Sequence, residues 1–188
     1  MNYREYCNTR DLAWRVLINE NVHSLPVNIL RLCRRLGIKV VYHTPVDDSD
    51  GRCTIINNTP YIFVNRNCSK QRKRFTIAHE IGHILLGHVG KYQLVNREPS
   101  ANDNTIEQSA NVVASRLLAP ACVLWGCGVR NADHIVKLCD ISKLSAEYRM
   151  IRMRELYQRD RFLTSPLERQ VYKQFQNFIL SHQLPADY

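Results

Sequence analysis

Within a chain of 188 residues, His79-Glu80-Ile81-Gly82-His83 sets two imidazoles and a carboxylate at a spacing suited to metal chemistry. The apolar periodicity around them predicts a helix, which puts His79 and His83 one turn apart on one face, so that both rings can reach a single Zn²⁺. Glu80 then stands about 100° around the helix from His79. There it is beside the metal but off its ligand axis, where a general base can take a proton from an activated water. Ala78, Ile81 and Leu85, with Ile77 and Ile84 at the margins, form an apolar face directed away from the histidines. Packing alone does not account for a buried helix that aims two histidines and a carboxylate one way.

A catalytic zinc takes a third protein ligand and keeps one position open. Glu107, in the run Glu107-Gln108-Ser109-Ala110-Asn111, is the best candidate, from a second helix crossing the first. Asn111 follows one turn later and can hydrogen-bond a ligand histidine from behind, while Ala110 and Ala114 keep that surface small. Other readings stay open. Glu107 can be a first-turn acid favoured by the helix dipole or boxed with Asn104. Glu98 and Asp103 are weaker ligands because they lie in a loop. His88 falls about 140° around from His83 on a continuous helix, on the apolar side, and reads as a structural or helix-end histidine. A cysteine could close a structural zinc site, and Cys68 is the one nearest in sequence, although it precedes His79 by more than two turns. For oxyanion stabilisation Tyr92, His134, Tyr148 and Arg149 are candidates, none of which stands out from an ordinary surface or packing residue.

The metal helix is predicted over about 70–88, ending near Gly90, with a polar loop at 91–104 and the second helix at about 105–118, stopping before Pro120. Upstream, a first helix covers 3–19. Ser24 reads as an N-cap, with Pro26 near the start of the run Val27–Leu36, which Gly37 closes. Strands are predicted at Ile38–Tyr42, Arg52–Ile56 and Tyr61–Val64, the last two flanking the turn Asn57-Asn58-Thr59-Pro60, and Asp47–Gly51 is a polar loop. Downstream come helices at 131–139 and 142–158. Ser165-Pro166-Leu167-Glu168 is a capping box opening a last helix to about 181. Strands early and helices late give an α+β fold, a small antiparallel sheet packed on a helical body.

Composition narrows the class. Apolar residues make up 45% and charged residues 23%, which excludes wholesale disorder. No apolar run approaches the roughly 18 residues of a membrane span, and the start MNYREYCNTR does not read as a secretory signal. Seven irregularly spaced cysteines without a Cys-x-x-Cys pair fit free thiols and a cytoplasmic protein. Lys and Arg number 26 against 17 Asp and Glu, a net charge of +9. The basic runs Arg66, Lys70, Arg72, Lys73, Arg74 and Arg149, Arg152, Arg154, Arg159, Arg161 come without helix-turn-helix or zinc-finger spacing. They read as a protein-docking surface rather than a direct nucleic-acid grip. A zinc-containing regulator that binds a protein partner or DNA without catalysis is the competing class.

The helix HEIGHILLGH together with Glu107-x-x-Ala110-Asn111-x-Val113-Ala114-x-x-Leu117-Leu118-Ala119-Pro120 resembles the ImmA/IrrE family of zinc metallo-endopeptidases. Ile141-Ser142-x-x-x-Ala146-x-x-Arg149 is similar to that family's final helix, and the resemblance covers roughly residues 25–157. It implies a zincin-like fold of the gluzincin type, with His79, His83 and Glu107 on the zinc and Glu80 as general base. It also implies an edge strand before the metal helix that holds substrate in extended form. Val113 and Ala119 stand where the family usually has Phe and Met, both apolar packing positions. The substrate it implies is a Cro/CI-type helix-turn-helix repressor, cleaved to cause derepression in a phage, a mobile element or a stress response. A peptidase domain at 1–158 and a helical appendage at 159–188 complete the expected organisation.

Overall fold

The computed structural model describes residues 2–46, 49–89 and 101–184, with side chains at all of these except Tyr3 and 101–104. The chain forms two compact units, each made of two stretches: Met1–Arg10 with Asn28–Ala114, and Asp11–Val27 with Ser115–Tyr188.

In the first unit, α2 (Ile29–Arg35) buries Ile29, Leu32 and Cys33. Its N-cap is Asn28, whose side chain accepts the Arg31 N–H, and not the expected Ser24, which lies four residues upstream. Asn at this position is as good a cap as Ser, and the chain enters the helix two residues after Pro26. Gly37, at φ +70°, closes α2 as expected. Replacing Asn28 by Ala should cost about 1 kcal/mol, read by thermal or denaturant unfolding, whereas Ser24→Ala should leave stability unchanged.

Strands β1 (Lys39–His43), β2 (Gly51–Ile56) and β3 (Thr59–Asn65) form one sheet in the order β1-β3-β2. The sheet is mixed, not purely antiparallel: β2 pairs antiparallel with β3, but β1 runs parallel to β3 from Lys39↔Tyr61 to His43↔Asn65. The reason lies in burial. β3 holds the fully buried Ile62 and Val64, so it takes the central place between two strands of opposite direction and must be parallel to one of them. The β2–β3 turn is two residues long. Asn57 and Asn58 both have positive φ (48° and 60°), the conformation that suits the strand twist of a tight hairpin. Pro60 therefore belongs to the strand and not to the turn. It lies opposite Ile55, one residue before the β1 register begins, so its missing N–H breaks no bond of that ladder.

Helix α3 (Lys70–Leu85) packs against β2 and β3 and buries Thr76, Ile77, Ala78, Glu80, Ile81 and Gly82. Ser69 caps it, accepting the Arg72 N–H, and Arg72 pairs with Asp50 just ahead of β2. Helix α4 (Ala101–Leu118) begins in this unit.

The second unit is helical among its described residues. It contains the later turns of α1 (Tyr3–Asn19), then α5 (Ala121–Gly126), α6 (Ala132–Cys139), α7 (Lys143–Gln158), α8 (Pro166–Gln174) and α9 (Gln176–Ser181). Leu17, Leu117, Leu124, Ile135, Met153 and Phe175 are among its fully buried side chains. The capping box opens α8 as expected: Ser165 accepts the Glu168 N–H, and the Glu168 carboxylate accepts the Thr164 N–H. Two features depart from the periodicity. Pro120 ends one helix and caps another, α5, and the last helical stretch breaks at Phe175 into two. All seven cysteines are free thiols. No helix of the described residues is long and apolar enough to cross a membrane.

Candidate metal centre

Helix α3 presents His79 and His83 on one side, half-buried, while the rest of its inward surface is in the core. Their Nε2 atoms are 2.9 Å apart. Glu107 on α4 brings one carboxylate oxygen to 3.1 Å from His79 Nε2 and the other to 3.3 Å from His83 Nε2. Ligands about 2.0–2.1 Å from a tetrahedral zinc are separated by about 3.3 Å from one another. Each of these separations is close to that between two ligands of one tetrahedral zinc, with Glu107 meeting the two imidazoles through different oxygens, and His79, His83 and Glu107 could hold a metal ion.

Close helix contact makes this possible. A Cβ added at Gly82 would lie 3.0 Å from the Ala110 Cα and 3.1 Å from its carbonyl oxygen, so the two helices touch through a glycine and an alanine. Ala110, Val113 and Ala114 are all fully buried. The small surface expected of Ala110 and Ala114 has Gly82 as its counterpart on α3.

Electrostatics favour a cation here. Hydrogen bonds from His79 and then His83 hold the Glu107 carboxyl well below the usual carboxylate range. For His79, burial opposes the charged ring. The hydrogen bond to Glu107, the charges of Glu80 and Glu107 and the bond to Asn111 outweigh it, leaving the imidazole raised. A site that draws positive charge onto its own ring offers the same field to a dication.

Each histidine is also held from behind. The Nδ1–H of His79 donates to Asn111 Oδ1 at 2.9 Å, the contact expected from spacing. Removing that acceptor in Asn111→Ala should weaken metal binding about 10-fold, toward the low end of the range for such partners because Asn111 is exposed and water can replace it. A chelator-competition titration measures this. Behind His83 stands His88, Nδ1 to Nδ1 at 3.1 Å. α3 ends at Leu85, before the expected boundary near Gly90, so His88 lies beyond the helix and the angle calculated for a continuous helix does not apply.

Glu80 is 7% exposed and its charge acts on His79. Cys53 of β2 is beside it. Burial first, and then the Glu80 carboxylate to which the thiol donates, pushes that thiol up. Cys53 is therefore the cysteine near the centre, and the sequence offers no signal for it beyond its place in a strand. Cys68 donates instead to Asp50 Oδ1 at 3.2 Å.

Tyr92 and Glu98 lie outside the described residues, as do the side chains of Asp103 and Asn104. Arg149 is buried, its Nε donating to the Ala119 carbonyl at 2.8 Å. Tyr148 is exposed on α7. His134 has its Nδ1 buried without a hydrogen-bond partner among the described residues. The basic runs are partly engaged within the protein: Arg66 donates to the Tyr42 carbonyl, Arg72 pairs with Asp50 and Arg152 with Glu155.

Residues 33–153, more than half of the chain, match the Peptidase_M78 family, the IrrE N-terminal-like domain. No curated protein matches the chain.

Proposed function

Because the chain belongs to the Peptidase_M78 family of IrrE N-terminal-like domains, a metallopeptidase family, we propose that it is a zinc-dependent endopeptidase with Glu80 as its general base. The observation that carries the reading is the convergence of His79, His83 and Glu107 at ligand spacing with the buried Glu80 next along the same helix.

Zinc, when bound by these three residues, supplies a Lewis acid that polarises the scissile carbonyl and lowers the pKa of water. The chain's own groups do the rest. Glu80 accepts a proton from the attacking water as its oxygen bonds to the carbonyl carbon. It then delivers that proton to the amide nitrogen as the C–N bond breaks. Asn111 keeps the Nδ1 proton of His79 in place, so Nε2 remains the ligand atom.

Substrate would lie along β2. This strand pairs only with β3 among the described residues, and its Ile55 and Ile56 are 48% and 45% exposed. An extended peptide can add to such an edge by backbone hydrogen bonds. Because Cys53 of this strand touches Glu80, the edge runs past the general base. The expected edge role falls on β2 and not on the central β3. For the substrate itself we adopt a Cro/CI-type helix-turn-helix repressor, a reading supported by the family resemblance of the two metal motifs.

The test incubates the zinc-loaded protein with a helix-turn-helix repressor of the Cro/CI type, taken from beside its gene where one is encoded there. Cleavage at one position, abolished by a chelator and restored by zinc, is the expected result. An intact repressor, with derepression in cells unaffected by Glu80→Gln, would overturn the reading.

A further inference from the structure

Both imidazoles that face Glu107 have a hydrogen-bond partner on the nitrogen turned away from it. For His79 the partner comes from the second helix; for His83 it comes from five residues further along the chain. The His83 and His88 rings have centroids 5.2 Å apart and planes at 66°, with Nδ1 facing Nδ1 at 3.1 Å. We propose that His88 is a positioning residue of the metal centre, whose Nδ1 lone pair accepts the Nδ1–H of His83 and so presents Nε2 to the cation. The proposal deepens the zinc reading of His79, His83 and Glu107, and rests on it.

The end of α3 is what puts His88 there. The Leu86 N–H bonds to the Gly82 carbonyl, Gly87 to Ile84, and His88 back to His83 itself at 2.9 Å. Gly87 has φ +69°, where an L side chain is strained, although a Cβ at that point would meet nothing within 4 Å. The glycine is therefore required for the reversal and not for space. On an uninterrupted helix His88 would stand about 140° away from His83 and its ring would not meet the ligand. The turn makes a residue of the following segment into a support for the one before.

The proton inventory allows only one arrangement. A neutral imidazole carries one N–H and one lone pair. With Nε2 of His83 as the ligand atom, its proton must be on Nδ1. His88 must then be protonated on Nε2, leaving its Nδ1 as acceptor, because protons on both Nδ1 atoms would collide at this separation. Asn111 plays the equivalent part for His79 through a carbonyl oxygen, so the two ligands are held by unlike groups from unlike places.

The experiment uses the full chain loaded with zinc. In protein labelled with ¹⁵N-histidine, a through-hydrogen-bond coupling between the two Nδ1 nuclei is expected, with the proton on His83. Chelator competition should show His88→Ala weakening zinc binding by about 10–100-fold, with His88→Gln recovering much of the loss because its amide oxygen can accept the same proton. The unfolding midpoint of the zinc-free protein should not move. A merely structural histidine would do the reverse, lowering that midpoint and leaving zinc affinity intact, and that outcome overturns the proposal. If His88→Ala fails to fold, the wild-type coupling decides: its presence supports the role and its absence refutes it. Wild type binding zinc no better than Glu107→Gln would remove the metal reading and this proposal together. Tight binding by wild type and His88→Ala alike would remove the positioning role alone.

Discussion

Glu80→Gln should lower kcat/KM for peptide hydrolysis by about 10³-fold while leaving the zinc content of the protein unchanged. The substitution keeps the size of a buried side chain and removes its charge, and with it the capacity to accept and return a proton. Glu80 is not one of the three residues at ligand spacing, so metal retention is the expected companion result. Glu107→Gln should behave differently. It takes away the charge that faces both imidazoles, and zinc affinity should fall along with activity. The pair of variants separates base from ligand: metal analysis after dialysis, run beside a cleavage assay, reads both. Full activity in Glu80→Gln would sink the assignment of the base. Zinc loss in Glu80→Gln equal to that in Glu107→Gln would make Glu80 part of the metal site.

Gly82→Val should be the most disruptive change at this centre that touches no donor atom. At Gly82 the first added carbon already meets the Ala110 backbone at 3.0–3.1 Å and the Val113 Cβ at 3.3 Å. Backbone cannot rotate out of the way as the end of a long side chain can. Overpacking of this kind costs about 1–3 kcal/mol, and the two extra methyls of valine place it at the upper end. Helix propensity gives no relief, since valine is only slightly better than glycine in a helix interior. The only accommodation is for α3 and α4 to separate, which carries Glu107 away from His79 and His83. A fall in thermal midpoint should therefore come with weaker zinc binding. Gly82→Ala should show the same two effects on a smaller scale, because the gain in helix propensity of about 1 kcal/mol offsets part of the clash. Normal zinc affinity in a stable Gly82→Val protein would show that the close approach of the helices is not what sets the ligand spacing.

The grouping of the candidate ligands was more legible than the sheet. His79, His83, Glu80, Glu107 and Asn111 repeat at helical intervals, and helical periodicity converts sequence distance into direction. Strand pairing has no such rule. The residues of β1 cannot indicate that β3 will lie between them and β2, because that order follows from which strand must bury both neighbours. The turn Asn57-Asn58 could be placed, but its length could not, since Pro60 is acceptable in the strand only where the β1 register has yet to begin. His88 does stand at the helix end, as expected, but the direction assigned to it failed for a related reason. An angle counted around a helix is meaningless past its end, and the end is at Gly87 and not at Gly90.

What the amino-acid sequence determined by itself is the local chemistry: which side chains share a helix face, where most caps and breakers stand, and that an α+β chain presents two histidines and a glutamate together. Tertiary structure alone decided three things. It brought Glu107 to the histidines where α3 and α4 meet at Gly82 and Ala110. It brought Cys53 to Glu80 by packing β2 on α3, and it turned His88 back onto His83. Each joins residues whose relation depends on where two segments meet in space, and no periodicity within either segment encodes that meeting.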